Sequence, residues 1–182
     1  MEFENLTYEL SDGVARITFA REKAANALNL ALAKELMYAA TQADEDPSVR
    51  AVVVGARGRM FCAGGDLGSF RTAGDQVPAL LKEITTYLHT AISRFARMRE
   101  PVVAAVQGAA AGAGFSLLCA ADFVIAADSA KFTMAYTQVG LAPDGSSTFW
   151  LPRLIGVRRT VERIESVSPR TRVARGGTIG FQ

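Results

Sequence analysis

Residues 101–122 read Pro-Val-Val-Ala-Ala-Val-Gln-Gly-Ala-Ala-Ala-Gly-Ala-Gly-Phe-Ser-Leu-Leu-Cys-Ala-Ala-Asp. The apolar run Val102 to Val106 has the length of a buried strand. Gln107 and Gly108 end it. Small residues follow, with Gly108, Gly112 and Gly114 spaced through alanines, until Phe115, Leu117 and Leu118 begin an apolar helix. Small side chains let the backbone come close to something else. The first N–H groups of a helix have no internal partner, so a strand, a bare turn and a helix start together form a site for negative charge. The same residues also suit a helix packed tightly on a sheet, and the stretch alone leaves both readings open. It is not a dinucleotide fingerprint, because residues 112–117 lack the third small residue. Nor is it a P-loop, because no Gly-Lys-Ser/Thr follows.

A second stretch repeats the arrangement. After the apolar strand 51–54, residues 55–67 read Gly-Ala-Arg-Gly-Arg-Met-Phe-Cys-Ala-Gly-Gly-Asp-Leu. Ala63, Gly64 and Gly65 turn consecutive N–H groups toward one point, a nest for an anion, and Asp66 is placed to cap the turn. A glycine-rich surface loop is the ordinary alternative. Two such turns, each after a valine-rich strand, are less ordinary.

The 182 residues suffice for one domain with a core, and 49% hydrophobic with 21% charged residues places the chain among globular proteins. A formal charge of +2 gives no argument for nucleic acid. Cys62 and Cys119 form no disulfide framework and suit a reducing compartment. The first residues carry no signal-peptide pattern, and no run approaches the ~20 apolar residues of a membrane span. A soluble cytoplasmic protein with no membrane partner is the expectation.

The remaining elements frame the two turns. Strands at 6–10 and 14–19 flank Ser11-Asp12-Gly13, which is hairpin turn chemistry. Asn29 is placed to cap a helix whose Leu32, Leu36, Ala39 and Ala43 share one face, and Pro47 ends it. Residues 71–76 read as a polar, mobile link. Pro78 suits a first helical turn, and Val77, Leu81, Ile84, Leu88, Ala91 and Phe95 keep helical spacing. Short strands at 123–126 and 131–134 precede Pro143-Asp144-Gly145 and an apolar helix at 149–155. From Arg153 onward there are seven arginines and no lysine. The division is therefore a core at 1–158 and an atypical Arg/Gly-rich, disordered tail at 159–182.

The order of elements, with Phe61-Cys62-Ala63-Gly64-Gly65-Asp66-Leu67 and Val106-Gln107-Gly108-Ala109-Ala110-Ala111-Gly112-Ala113-Gly114, resembles the crotonase family, the enoyl-CoA hydratase/isomerase superfamily. The resemblance covers about residues 7–159. It implies an α/β fold, a spiral of ββα units, here lacking the usual C-terminal helical region. It implies a homotrimer or dimer of trimers acting on an acyl-CoA thioester, as isomerase or lyase, in fatty acid metabolism. No metal and no cofactor is implied, since coenzyme A is part of the substrate. By motif, the loop with Lys23, Ala24 and Ala25 holds coenzyme A, together with Ala63, Gly64, Gly65, Asp66, Leu67, Gly112, Ala113 and Gly114. The N–H groups of Ala63 and Ala113 are expected to grip the thioester oxygen.

The side chains decide the reaction. The two glutamates of the family's hydratases fall at Ser116 and Tyr136, which argues against ordinary hydration. Asp144 resembles the single carboxylate of the isomerases, and an apolar pocket is expected to raise its pKa. A plain turn role for Asp144 is the alternative. A second resemblance, to dehalogenases of aromatic acyl-CoAs, makes Asp144 a nucleophile with Tyr136 and His89 beside it. Thioester hydrolysis takes a similar route. For His89 and Tyr136 simple packing is the alternative. A third reading is a truncated, inactive family member with exposed apolar surface.

Overall fold

The computed structural model describes residues 2–165. The chain opens with strands β1 (Leu6–Ser11) and β2 (Val14–Phe19), an antiparallel hairpin. Asp12 and Gly13 join them with φ of 53° and 76°, the left-handed pair that matches strand twist. Helix α1 (Leu30–Glu45) is next, then strands β3 (Ala51–Ala56) and β4 (Met60–Cys62). Helices α2 (Leu67–Ala73) and α3 (Val77–Phe95) come after them. Strands β5 (Val102–Val106) and β6 (Ala109–Ala111) lead to α4 (Ala113–Cys119). Strands β7 (Phe123–Ala126) and β8 (Phe132–Thr133) lead to α5 (Ser147–Ile155) and α6 (Val157–Glu165).

Two sheets result. The larger has the order β1-β2-β3-β5-β7, and the smaller, all parallel, has the order β4-β6-β8. The logic is a repeat. Each unit gives one strand to the large sheet, one to the small sheet and then a helix: β3-β4-α2, β5-β6-α4, β7-β8-α5. Leu28 pairs with Gly65 in a single parallel bridge, so β2, Leu28 and α1 form a reduced first unit. This is the expected α/β spiral of ββα units.

Burial matches the apolar spacing. Leu32, Leu36, Ala39 and Ala43 of α1 are fully buried, and the Asn29 side chain accepts from Leu32 N at 2.9 Å as its cap. That face packs against α3, whose Ile84, Leu88, Ala91 and Phe95 are buried. Glu35 is also buried in α1, and its carboxylate accepts from Asn5 N and Asn5 Nδ2 at 2.8 and 2.6 Å.

Three expectations need correction. Residues 71–76 are not a loose link: α2 runs through Ala73, capped by Asp66, and a 3-10 turn (Gly74–Gln76) joins it to α3. The small-residue turns contain strands β4 and β6, too short for any pattern to reveal. The expected tail at 159–182 is helical through Glu165, and its remainder lies outside the described residues. Strand β7 is the open edge of the large sheet, and Phe123 and Ile125 are 63% and 68% exposed. Among the described residues no helix is long and apolar enough to cross a membrane.

Asn26 shows how the loop before α1 is fixed. It is fully buried at φ 52°, a conformation asparagine tolerates better than most residues. Its Oδ1 accepts from Arg21 N, and its Nδ2 donates to Arg57 O and Met60 O, both at 2.8 Å. Asn26→Ala removes three part-buried hydrogen bonds to the backbone and is expected to cost about 3 kcal/mol. Urea unfolding measures it, and a loss no larger than that of an exposed alanine substitution contradicts the role.

Candidate active site

The site grows from two backbone turns pressed together. Gly64 has φ 93°, and a Cβ built there would lie 2.9 Å from Ala111 O and 3.6 Å from Ala113 N. A Cβ on Gly114 would lie 2.6 Å from Cys62 Cβ. Larger residues at either position would push the 61–66 loop away from the start of α4.

The loop before α1 joins them. Leu28 N donates to Gly64 O at 2.7 Å, Asp66 N to Leu28 O at 3.0 Å, and Ala63 N to Ala25 O at 3.1 Å. Asp66 accepts from Ser69 N and from Arg21 Nη2, both at 3.1 Å. Ala24 and Ala25 thus lie beside the glycine turn, while Lys23 is exposed to solvent.

This overturns one expected donor. The Ala63 N–H is already bonded to Ala25 O and is not presented to a ligand. Gly65 sits in the bridge with Leu28, so the bonds to Leu28 come from its neighbours Gly64 and Asp66. Its own N–H has no hydrogen-bond partner among the described residues. Neither has the N–H of Ala113, the first residue of α4. Gly65 and Ala113, rather than Ala63 and Ala113, are the available donors. Ala63 and Gly65 belong to the one motif, and the expected N–H is two positions from the one left without a partner among the described residues. The signal that separates them is the Leu28 pairing, which no local pattern carries.

Both donors line a cavity of about 290 Å³ that also contains Gly64, Gly112, Tyr136 and Asp144. Leu67 lines it as well, and Ile84 and Leu88 of α3 form part of its apolar wall. A larger apolar cavity of about 920 Å³ lies along Phe115, Leu118, Val124 and Leu154, and none of these site residues reaches it.

Asp144 sits in the turn before α5, whose Ser147 Oγ donates to Asp144 O at 2.7 Å. Its side chain enters the cavity. Tyr136 OH donates to Asp144 Oδ1 at 2.6 Å, and His89 Nε2 lies 3.2 Å from Asp144 Oδ2. Gly145 N donates to the same His89 nitrogen at 3.3 Å. Ser116 Oγ lies 2.7 Å from Tyr136 OH. The structure therefore brings together Asp144, Tyr136 and His89, all expected, and adds Ser116, expected only as a lost glutamate.

The electrostatics correct a further expectation. Burial pushes the Asp144 carboxyl up, but hydrogen bonds from His89 and Tyr136, with the His89 charge, outweigh it. The net value lies below the ordinary carboxylate range rather than above it. Tyr136 is raised, by burial first and by the Asp144 charge second, so it stays a protonated donor. Burial pushes the Cys62 and Cys119 thiols up to about 12, so neither is a nucleophile at neutral pH. Asp66 is lowered: burial raises it, and bonds from Ser69 and Arg21 outweigh that. Among the described residues no cluster of three His, Cys, Asp or Glu side chains could hold a metal ion.

The sequence profile of the family described as Enoyl-CoA hydratase/isomerase matches residues 9–174. A Rhodobacter capsulatus protein named "Probable enoyl-CoA hydratase" is 44% identical over 88% of this chain and 61% of its own length. The trans-2-decenoyl-[acyl-carrier-protein] isomerase of Streptococcus mutans is 35% identical over 89% of this chain and 62% of its own. An Arthrobacter 4-chlorobenzoyl coenzyme A dehalogenase is 35% identical over 87% and 58%. The crystal structure of an enoyl-CoA hydratase from Bacillus anthracis superposes with TM-score 0.82 at 34% identity, covering 90% of this chain and 63% of that one. The chain spans about three fifths of the length of these relatives.

Asp66 both caps α2 and ties it to Arg21, so Asp66→Ala is expected to cost about 1 kcal/mol at pH 7. Because the folded value is lowered, the stabilisation is full above the unfolded carboxylate value. It is lost as pH falls through the folded one. Denaturation at pH 7 and at pH 2 measures this; a difference between wild type and variant that does not shrink at pH 2 contradicts it.

Proposed function

Since the chain belongs to the enoyl-CoA hydratase/isomerase family, we propose that it shifts a double bond in an enoyl-CoA, with Asp144 as the single acid/base. The observation that carries this is one carboxylate facing the same cavity as two backbone N–H groups without a partner among the described residues. The thioester oxygen accepts from Gly65 N and Ala113 N, and the negative charge of the enolate gathers there. Asp144 takes a proton from C2 of a 3-enoyl chain. The C2–H electron pair forms C1=C2 as the carbonyl pair moves onto the thioester oxygen; when the carbonyl re-forms, that pair becomes the C2=C3 bond and the former C3=C4 pair takes the proton back at C4. A single carboxylate on one face serves both transfers, and no water or redox partner enters. The apolar walls exclude water when the acyl chain is bound, which strengthens the base relative to the empty site.

A second reading rests on the His89–Asp144 contact. An ionised Asp144 can attack the chlorinated ring carbon of an aromatic acyl-CoA, expelling chloride, or the thioester carbonyl, expelling the CoA thiolate, with His89 placed to activate the water that cleaves the resulting Asp144 ester or anhydride.

Incubation with a 3-enoyl-CoA, a 2-enoyl-CoA and 4-chlorobenzoyl-CoA separates these. Double-bond movement alone is the expected result. Chloride release favours the nucleophilic reading, water addition refutes both, and no turnover with weak CoA-ester binding also refutes both. Asp144→Asn is expected to lower kcat about a thousand-fold while CoA-ester binding stays near wild type. Equal loss of the two sinks the role of Asp144.

The reaction needs the carboxylate, so activity is present above the folded-state value of Asp144 and is lost as pH falls through it. In kcat/KM, which reports the empty site, that acid limb is expected below the ordinary carboxylate range, and His89→Ala moves it upward. A pH–rate profile in which His89→Ala leaves the limb in place contradicts the assignment.

A further inference from the structure

Ser116 is fully buried, one helical turn beyond the Ala113 donor in α4. Its hydroxyl has one hydrogen-bond partner among the described residues, Tyr136 OH at 2.7 Å. Proton counting fixes the direction. An ionised carboxylate only accepts, so the single Tyr136 proton goes to Asp144 Oδ1. The Tyr136 oxygen is then an acceptor, and Ser116 donates to it. Ser116 also packs under the Asp144 turn, since a Cβ on Gly145 would lie 2.9 Å from Ser116 Cβ.

The two carboxylate oxygens are therefore unequal. Oδ1 holds a short bond from a buried phenol. Oδ2 faces His89 Nε2, which also faces Gly145 N. A ring nitrogen that accepts from Gly145 N cannot donate to Oδ2, so that contact is exchangeable while the Tyr136 bond is not. Tyr136 and, from α3, His89 are the titratable side chains bonded to Asp144.

We propose that Ser116 and Tyr136 form a one-way hydrogen-bond chain that fixes Asp144 Oδ1 and reserves Oδ2 for proton exchange with the substrate. Ser116 is then a positioning residue. The inference rests on Asp144 being the acid/base of the proposed isomerisation. The chain is strongest when Asp144 is ionised and weakens when Oδ2 takes a proton, so it makes the acid form readier to return that proton. Because α4 carries both Ala113 and Ser116, one short helix sets the base relative to the oxyanion donors.

Tyr136→Phe and Ser116→Ala each remove one oxygen and keep the packing. The Asp144 titration is tracked by carboxyl carbon NMR, with the resonance assigned by its loss in Asp144→Asn. Tyr136→Phe is expected to raise the midpoint, Ser116→Ala to raise it by less, and the double variant to match Tyr136→Phe alone. Ser116→Cys, a weaker donor of similar size, falls between wild type and Ser116→Ala. The acid limb of kcat for 3-enoyl-CoA isomerisation moves in the same order, with KM little changed. A Ser116→Ala midpoint equal to wild type, or a double variant shifted beyond Tyr136→Phe, overturns the chain. The expected NMR shifts without any isomerisation leave the chain standing and overturn the reaction assigned to it.

Discussion

No side chain fits between the 62–65 loop and the start of α4, and the rest of the site depends on that contact. The Gly64 turn lies against Ala111 O, and Gly114 lies against Cys62. This closeness puts Gly65 N and Ala113 N on the wall of one cavity. It also fixes the rest of α4, since a helix placed by its first residue places Ser116 one turn later. The small sheet serves the same end. Its strands are two or three residues long and contribute little pairing, but they hold the glycine turns side by side.

Strand geometry decides which N–H is presented. In a parallel bridge the residue facing the partner is bracketed by its neighbours' hydrogen bonds, and its own N–H points the other way. Gly65 is that residue opposite Leu28. The Leu28 pairing therefore bonds Gly64 O and Asp66 N and turns Gly65 N outward. Ala63, two residues earlier, points back to Ala25 and fastens the loop. Asn26 and the Arg21–Asp66 pair hold that loop from below and from the side, so the presented donor rests on contacts distant in sequence.

The large sheet, α1 and α3 were legible because their apolar periods run long enough to be read. Asn29 announced itself as a helix cap and accepts from Leu32 N, whereas Asp66, expected to cap the glycine turn, caps α2 instead. Strands β4 and β6 were not legible: three residues carry no period, and alanines and glycines carry no burial signal. Helix α2 was hidden because it is seven residues long and buries none of them, so Leu67 and Phe70 alone mark no apolar face. Asp144, Tyr136 and His89 were placed together through family motifs rather than local pattern. The direction of the Asp144 shift was misjudged because the apolar wall was visible in sequence, whereas the two hydrogen bonds that outweigh burial come from residues 8 and 55 positions away.

The number of carboxylates bears on the chemistry such a site can do. Adding water across a double bond asks for two proton movements at different atoms, one from water and one to carbon. A single group handles them only in turn. Asp144 is the one carboxylate that lines the cavity among the described residues. Its neighbours Ser116 and Tyr136 hold neutral hydroxyls, and burial together with the Asp144 charge keeps the phenol protonated. A lone carboxylate suits a reaction in which the proton removed is the proton returned. For the isomerisation proposed above, the remaining requirement is that C2 and C4 of a bound chain reach the same oxygen. Under that proposal Oδ2 meets it better than Oδ1, because Tyr136 OH donates to Oδ1, while the His89 nitrogen facing Oδ2 also faces Gly145 N.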